Sequence, residues 1–242
     1  HPLNHGFDRF YGFNGPAKHY LIHSAEAERV FMDSMREHEP GRTGYPLMFV
    51  GPMWDDFEQV DQEGFATHLF RDQAIEFMSQ SRDQPFFVML SFNAVHDQTY
   101  QLPAEYLESR DIPIPRDWDP AKESSREWSR DTYSKTLNRE YIRGQLHYLD
   151  QSIGQLLDFL DNERLRDNTL VIYLSDNGGS TLNASRNDPL RSGKFTMFEG
   201  GLRVPFLVSW PGAIPSGVTL DNVISSLDLF PTLAALAGGE TP

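Results

Sequence analysis

Three short polar segments carry the residue types that hydrolysis of an anionic ester needs. Asn93-Ala94-Val95-His96 ends in a histidine, Asp176-Asn177 sets a carboxylate beside an amide ahead of two glycines, and Pro189-Leu190-Arg191-Ser192-Gly193-Lys194 ends in a lysine. Carboxylate and amide oxygens are the hard donors that Ca2+ or Mg2+ prefers, and such a cation neutralises charge building on a sulfuryl or phosphoryl group. Lys194 adds a point charge for the same oxyanion. His96, with an ordinary imidazole pKa near ~6.5, can hydrogen-bond an ester oxygen or protonate a leaving group. Each segment also has a plain structural reading. A histidine at a strand end is commonly hydrogen-bonded scaffolding, Asp-Asn-Gly-Gly makes a good turn, and a lysine after a loop glycine is commonly just solvated. The convergence of all three favours the chemical reading.

Periodicity indicates the elements that must position them. Ala66, Leu69, Phe70, Ala74, Phe77 and Met78 recur at three- and four-residue steps and predict a helix from Ala66 to Ser81. Ile142, Leu146, Leu149, Ile153, Leu157 and Leu160 predict another over about 138–162. Three apolar runs, Phe86–Phe92, Thr169–Leu174 and Val204–Trp210, read as buried strands. A closing helix is expected over Ser225–Ala237, with Asp228 near its start, Pro231 in its first turn and Gly238-Gly239 as its stop. Strands alternating with long helices predict an α/β fold with a largely parallel sheet flanked by helices. In such sheets ligands sit beyond the carboxyl ends of the strands, where His96 and Asp176-Asn177 fall. Residues 1–60 read as mostly loop, and 97–137, with Pro103, Pro113, Pro115 and Pro120, as a long polar insertion.

Composition narrows the classes further. The 242 residues, 39% of them hydrophobic, suffice for a sizeable core. A formal charge of −14 argues against a nucleic-acid partner, which needs many cationic contacts. It also explains why a local cationic set is required to attract an anionic substrate. No run approaches the ~18–20 apolar residues of a membrane span. The absence of cysteine removes disulfides, cysteine-based zinc sites and thiol catalysis. The chain opens on His1 with no leader following it, so the start of the protein is expected upstream and any targeting signal is not visible in these residues.

Over nearly its whole length the sequence resembles the type I sulfatases of the alkaline phosphatase superfamily. The resemblance runs through His5-Gly6-Phe7-Asp8-Arg9-Phe10-Tyr11-Gly12 and Pro85-Phe86-Phe87 to His96. It is most specific from Ser175-Asp176-Asn177-Gly178-Gly179 through Gly193-Lys194 and Glu199-Gly200-Gly201-Leu202-Arg203-Val204-Pro205-Phe206 to Trp210-Pro211-Gly212. It implies that Asp176 and Asn177 are calcium ligands, that Lys194 contacts the sulfate and its bridging oxygen, and that His96 stands beside the leaving-group oxygen. Glu199 and Arg203 match family positions read as structural. The implied activity is that of a sulfuric ester hydrolase on a sulfated carbohydrate or aryl sulfate, in a periplasmic, secreted or lysosome-like setting. Two other readings stay open: a phosphodiesterase or phosphonate monoester hydrolase of the same superfamily, and a non-catalytic sulfatase-like module.

Three features of that family's pattern are missing: the early Asp-Asp metal pair, the Cys- or Ser-x-Pro-x-Arg motif whose first residue becomes formylglycine, and the Gly-Lys-x-x-His motif. Asp55-Asp56 follows Gly51-Pro52-Met53-Trp54 rather than a buried strand, and is assigned to the surface. The expectation is therefore a partial catalytic domain over 1–242. Its first strands and C-terminal subdomain are absent, its formylglycine is supplied from upstream, and the chain is inactive by itself. Two side chains offering at most three oxygens predict weak Ca2+ binding, since the ion takes about 6–8. Exposed sheet edges would favour self-association. His19, Tyr20 and His23 are candidate substrate-rim residues. Arg116, Trp118, Lys122, Arg126 and Trp128 could meet a sulfated sugar, although a solvated loop is the simpler reading. The glycosylation-type triplet Asn183-Ala184-Ser185 arises easily by chance.

Overall fold

The computed structural model describes residues 1–13, 20–38, 53–96, 99–115, 119, 121–123, 135–181 and 184–239. Its strands are β1 (Tyr11–Gly12), β2 (Leu21–Ile22), β3 (Met53–Asp55), β4 (Glu58–Val60), β5 (Gly64–Phe65), β6 (Val171–Leu174) and β7 (Phe206–Ser209). Its helices are α1 (Ala25–His38), α2 (Ala66–Gln80), α3 (Ala104–Ser109), α4 (Lys135–Asn162), α5 (Glu199–Leu202) and α6 (Leu229–Leu236). No described helix is long and apolar enough to cross a membrane.

The two long central helices, the two later strands and the closing helix fall where periodicity puts them. Ser225 and Asp228 form a reciprocal capping box ahead of α6, and Gly238 leaves the helix in the left-handed region at φ 78°. Residues 1–60 correct the loop expectation, because α1 occupies much of the described part. Its start is fixed by Ser24, whose Oγ accepts from Ala27 N at 3.3 Å. Its outer face carries i,i+3 and i,i+4 ion pairs linking Arg29 to Glu26 and Asp33, and Arg36 to Asp33. Such a helix buries only Met35, so it leaves almost no apolar stripe in the sequence.

The segment 97–137 is also corrected. Among its described residues Tyr100, Leu102, Tyr106, Leu107 and Ile112 are buried and build the larger core cluster with Tyr20, Phe65, Tyr141 and Tyr148. Of these only Tyr106 and Leu107 are consecutive, and the short α3 is what turns that pair inward. A smaller cluster joins Ile22, Met53, Ala66 and Phe70. On α4 the buried face is rotated from the expected stripe. Leu146 is 45% exposed, while Asn138, Gln145 and Ser152, seven residues apart, lie inside with Tyr141, Tyr148 and Leu149.

The sheets depart most from expectation. β1–β3–β4 form one small sheet, β2–β5 a second and β6–β7 a third, and every described ladder is antiparallel. Phe86–Phe92 forms neither a helix nor a strand and belongs to no described ladder. Its side chains alternate: Phe87 and Met89 are exposed, while Leu90 and Phe92 pack on the smaller core. A strand buried on both faces needs neighbours on both edges and cover on both sides, and the described residues cover one side only.

Candidate active site

The site is assembled from two loops that follow β6 and one turn that follows the apolar segment 86–92. β6 runs out through Ser175, whose N donates to Pro205 O at 3.4 Å and whose Oγ donates to Asn177 O at 2.9 Å. In the turn that results, Asn177 Nδ2 donates to Asp176 Oδ2 at 2.5 Å. Gly178 N then donates to Gly201 O at 3.0 Å, and Lys194 N to Gly179 O at 3.2 Å, so the two loops are stitched backbone to backbone. Glycine is required at this seam. A Cβ at Gly178 would overlap the Gly200 carbonyl, and one at Gly193 would overlap the Gly179 carbonyl.

Asn187 locks the seam. Its Oδ1 accepts from Gly179 N at 2.9 Å, and its Nδ2 donates to Gly179 O at 2.9 Å and Ser192 O at 3.0 Å. Sequence reasoning missed this residue. The available signal was Asn187-Asp188-Pro189, a combination that marks a turn and offers a side-chain amide beside it.

The stitched loops carry Lys194 to His96. Lys194 Nζ lies 2.9 Å from His96 Nε2 across 98 positions of sequence. An ammonium group can only donate, so Nε2 is the acceptor, and in the neutral ring the proton is assigned to Nδ1. That Nδ1 is buried and has no hydrogen-bond partner among the described residues. Lys194 Nζ also stands 5.4 Å from the centre of the Phe195 ring, and the Arg191 guanidinium sits 3.7 Å over the Phe198 ring. The result is a cation and an imidazole in contact at a partly open surface, flanked by exposed aromatic rings.

The structure thus brings His96 and Lys194 together directly, and ties Asp176-Asn177 to them through the Gly178-Gly179 backbone. Asp176 and Asn177 suit a hard cation chemically, but their side chains furnish only part of its ligand set. Among the described residues no three His, Asp or Glu side chains gather as a metal site. Glu199 and Arg203 pair at 3.8 Å on the surface of α5.

Other candidates separate. Tyr20 is 1% exposed and is a core residue rather than a rim residue, whereas His23 is exposed. Lys122 pairs with Asp119 at 2.7 Å. His19, Arg116, Trp118, Arg126, Trp128 and Asn183 lie outside the described residues. Asp55-Asp56 is more than free surface. Both carboxylates pair with Arg9, and Asp56 Oδ1 accepts from Phe10 N at 2.8 Å, clipping the N-terminal segment to the β3–β4 turn.

Known proteins resemble the chain along its whole length. Human N-acetylgalactosamine-6-sulfatase is 29% identical over the whole of this chain, which spans 40% of that relative. Human arylsulfatase A is 42% identical over 48% of the chain and 23% of its own length. The crystal structure of Ps i-CgsB in complex with k-i-k-neocarrahexaose superposes with a TM-score of 0.76 at 27% identity, covering 100% of this chain and 48% of that one. BT4656 in complex with its substrate D-glucosamine-2-N,6-O-disulfate shares the fold at a TM-score of 0.66 and 19% identity, covering 98% of this chain and 56% of its own. The chain therefore spans less than half the length of the curated relatives it matches. Its fold is the alkaline phosphatase-like α/β fold of those neighbours. The family model described as Sulfatase matches residues 2–239. With so little of the sequence left outside the match, the chain belongs to the sulfatase family.

Proposed function

We propose that the chain contributes the cationic, proton-donating half of a sulfate-ester hydrolase site. The observation that carries this reading is the 2.9 Å approach of Lys194 Nζ to His96 Nε2. Lys194 binds the non-bridging and ester oxygens of the sulfate as a point charge, in a setting partly shielded from water. When the anion takes over the lysine's donors, His96 Nε2 is released toward the ester oxygen. Nε2, freed from the ammonium, takes a proton from solvent, and the resulting imidazolium passes that proton to the departing alcohol oxygen and returns to the neutral ring.

Asp176 and Asn177 would hold part of the shell of a divalent cation, Ca2+ or Mg2+. Such a cation would supply charge neutralisation, and a formylglycine, for which these 242 residues have no Cys- or Ser-x-Pro-x-Arg motif, would supply the attacking oxygen. The proposed substrate is a sulfated saccharide. Supporting it are a relative named for a sulfated amino sugar and a structural neighbour solved with an oligosaccharide.

The test compares sulfate and phosphate esters on the full-length protein. Sulfate esters are expected to turn over faster, and His96→Ala and Lys194→Ala each to lower kcat/KM by about 10²–10⁴. A faster phosphate ester would move the protein to the phosphodiesterase reading. A biological role untouched by both variants would point to a non-catalytic module.

A further inference from the structure

Lys194 finds His96 only if the turn carrying the imidazole sits at one height along the chain, and that turn lies between two buried anchors. Upstream, Asn93 O accepts from His96 N at 2.9 Å and from Tyr20 Oη at 2.9 Å, so both lone pairs of one carbonyl are used. Tyr20 is itself fixed at both ends of its backbone. Its N donates to Gln101 Oε1 at 2.7 Å, and its O accepts from Ala66 N at 2.7 Å, at the start of α2. Downstream, Gln145 on α4 donates from Nε2 to Gln101 O at 2.8 Å and to Thr99 O at 3.2 Å. Gln145 is fully buried, and Thr99 and Gln101 are 1% and 2% exposed. Beside it Gly144 lets the helix approach, because a Cβ there would overlap the Leu102 side chain.

We propose that Tyr20 and Gln145 are positioning residues that set the register of the segment carrying His96 against Lys194. The chemistry of the contacts separates this role from plain packing. An apolar side chain at position 145 would hold α4 in the core equally well but would not distinguish one backbone carbonyl from the next. Tyr20 and Gln145 grip main-chain oxygens three residues before and three to five residues after His96, and so fix position along the chain. A slip of one residue displaces a side chain by up to about 3.3–3.6 Å and re-aims it. Either change breaks a 2.9 Å contact. The functional meaning rests on the reading of His96 and Lys194 as the reacting pair, but the geometry can be tested without turnover.

The experiment is residue-resolved acylation of histidines by diethyl pyrocarbonate in the full-length protein, read by mass spectrometry. In Tyr20→Phe the His96 rate is expected to rise about three- to tenfold, the range set by loss of one hydrogen bond. His68, on α2 with its ring 5.2 Å from that of Tyr148 on α4, serves as the internal reference and stays unchanged. Tyr141→Phe, in the same core cluster and 1% exposed, leaves the His96 rate at the wild-type value. A His96 rate unchanged in Tyr20→Phe, or raised equally by Tyr141→Phe, overturns the positioning role. Should Tyr20→Phe fail to fold, Gln145→Met preserves the buried volume and is read by the same criteria. Lys194→Met separates the two levels. A His96 rate that does not respond to it removes the His96–Lys194 pair and with it the proposed function, whereas a response there with none in Tyr20→Phe removes the positioning role alone.

Discussion

The chain is held together in two different ways on either side of residue 160. Before it, every described element leans on buried aromatic and aliphatic side chains, from Tyr20 to Leu160. After it, the only buried residues among those described are Gly178, Gly193, Gly200 and Gly201. Large apolar side chains there face outward instead, including Phe195, Met197, Leu220, Val223 and Leu227. The later part keeps its form through the β6–β7 ladder and the backbone bonds among Gly178, Gly179, Asn187, Lys194 and Gly201. The lesson is that the two halves of the site have different foundations. His96 is placed by a packed core with polar clamps inside it, and Lys194 by glycine backbones that approach closely enough to bond one another.

That contrast can be broken by substitution. Leu107→Ala, at 1% exposure in the larger cluster, is expected to lower global stability by about 2–5 kcal/mol, read as a shifted urea midpoint at constant m value. Gly178→Ala pushes a methyl into the Gly200 carbonyl and is expected to cost about 1–3 kcal/mol. Its signature is local: faster amide exchange over 175–203 with little change over α2 and α4. An equal increase in both regions would mean that the glycine seam and the core unfold as one unit. Asn187→Ala removes three hydrogen bonds from the same seam without adding bulk. It is expected to cost about 1–3 kcal/mol in the same local exchange measurement.

Acid should act on the first half through Asp56. Burial opposes ionisation of this carboxyl, but the Phe10 N–H and the Arg9 guanidinium outweigh it and hold it below its ordinary value. A depressed folded-state value gives stability that is present above the unfolded value, near ~3.9, and is lost as pH falls through the folded one. Limited proteolysis at falling pH should therefore release residues 1–12 below about pH 4. Asp56→Asn should flatten that dependence, and an unchanged acid profile would show that the clip to Arg9 and Phe10 carries none of it. The smallest effect belongs to Leu227→Gln, at 82% exposure, expected to stay within about 0.5 kcal/mol in a thermal melt. A larger loss would show that the outward apolar side chains of the later half are covered in solution.

Legibility followed how each element is stabilised. α2 was readable because its apolar positions repeat with the helical period, and α6 because Asp228, Pro231 and Gly238-Gly239 mark its start and stop. α1 was not, because exposed ion pairs hold it and only Met35 is buried. The larger core was obscured within 97–137, where Tyr100, Leu102, Tyr106 and Leu107 are scattered among prolines and charges. On α4 the apolar stripe marked only part of the buried face, Leu149 and Leu160, and the face extends to Gln145, which finds the Thr99 and Gln101 carbonyls.

Of the site, the residue types and their order were legible: a histidine after one apolar run, a carboxylate–amide pair after the next, a lysine after a glycine. Residue chemistry and the 3.6-residue period are local properties, and the amino-acid order determines them by itself. That His96 and Lys194 touch, that Asn187 seals the loops and that Tyr20 belongs to the interior depend on contacts spanning tens of residues. Only the folded chain decides those, because a hydrogen bond between distant loops exists only when every intervening element has been packed to bring its two ends within reach.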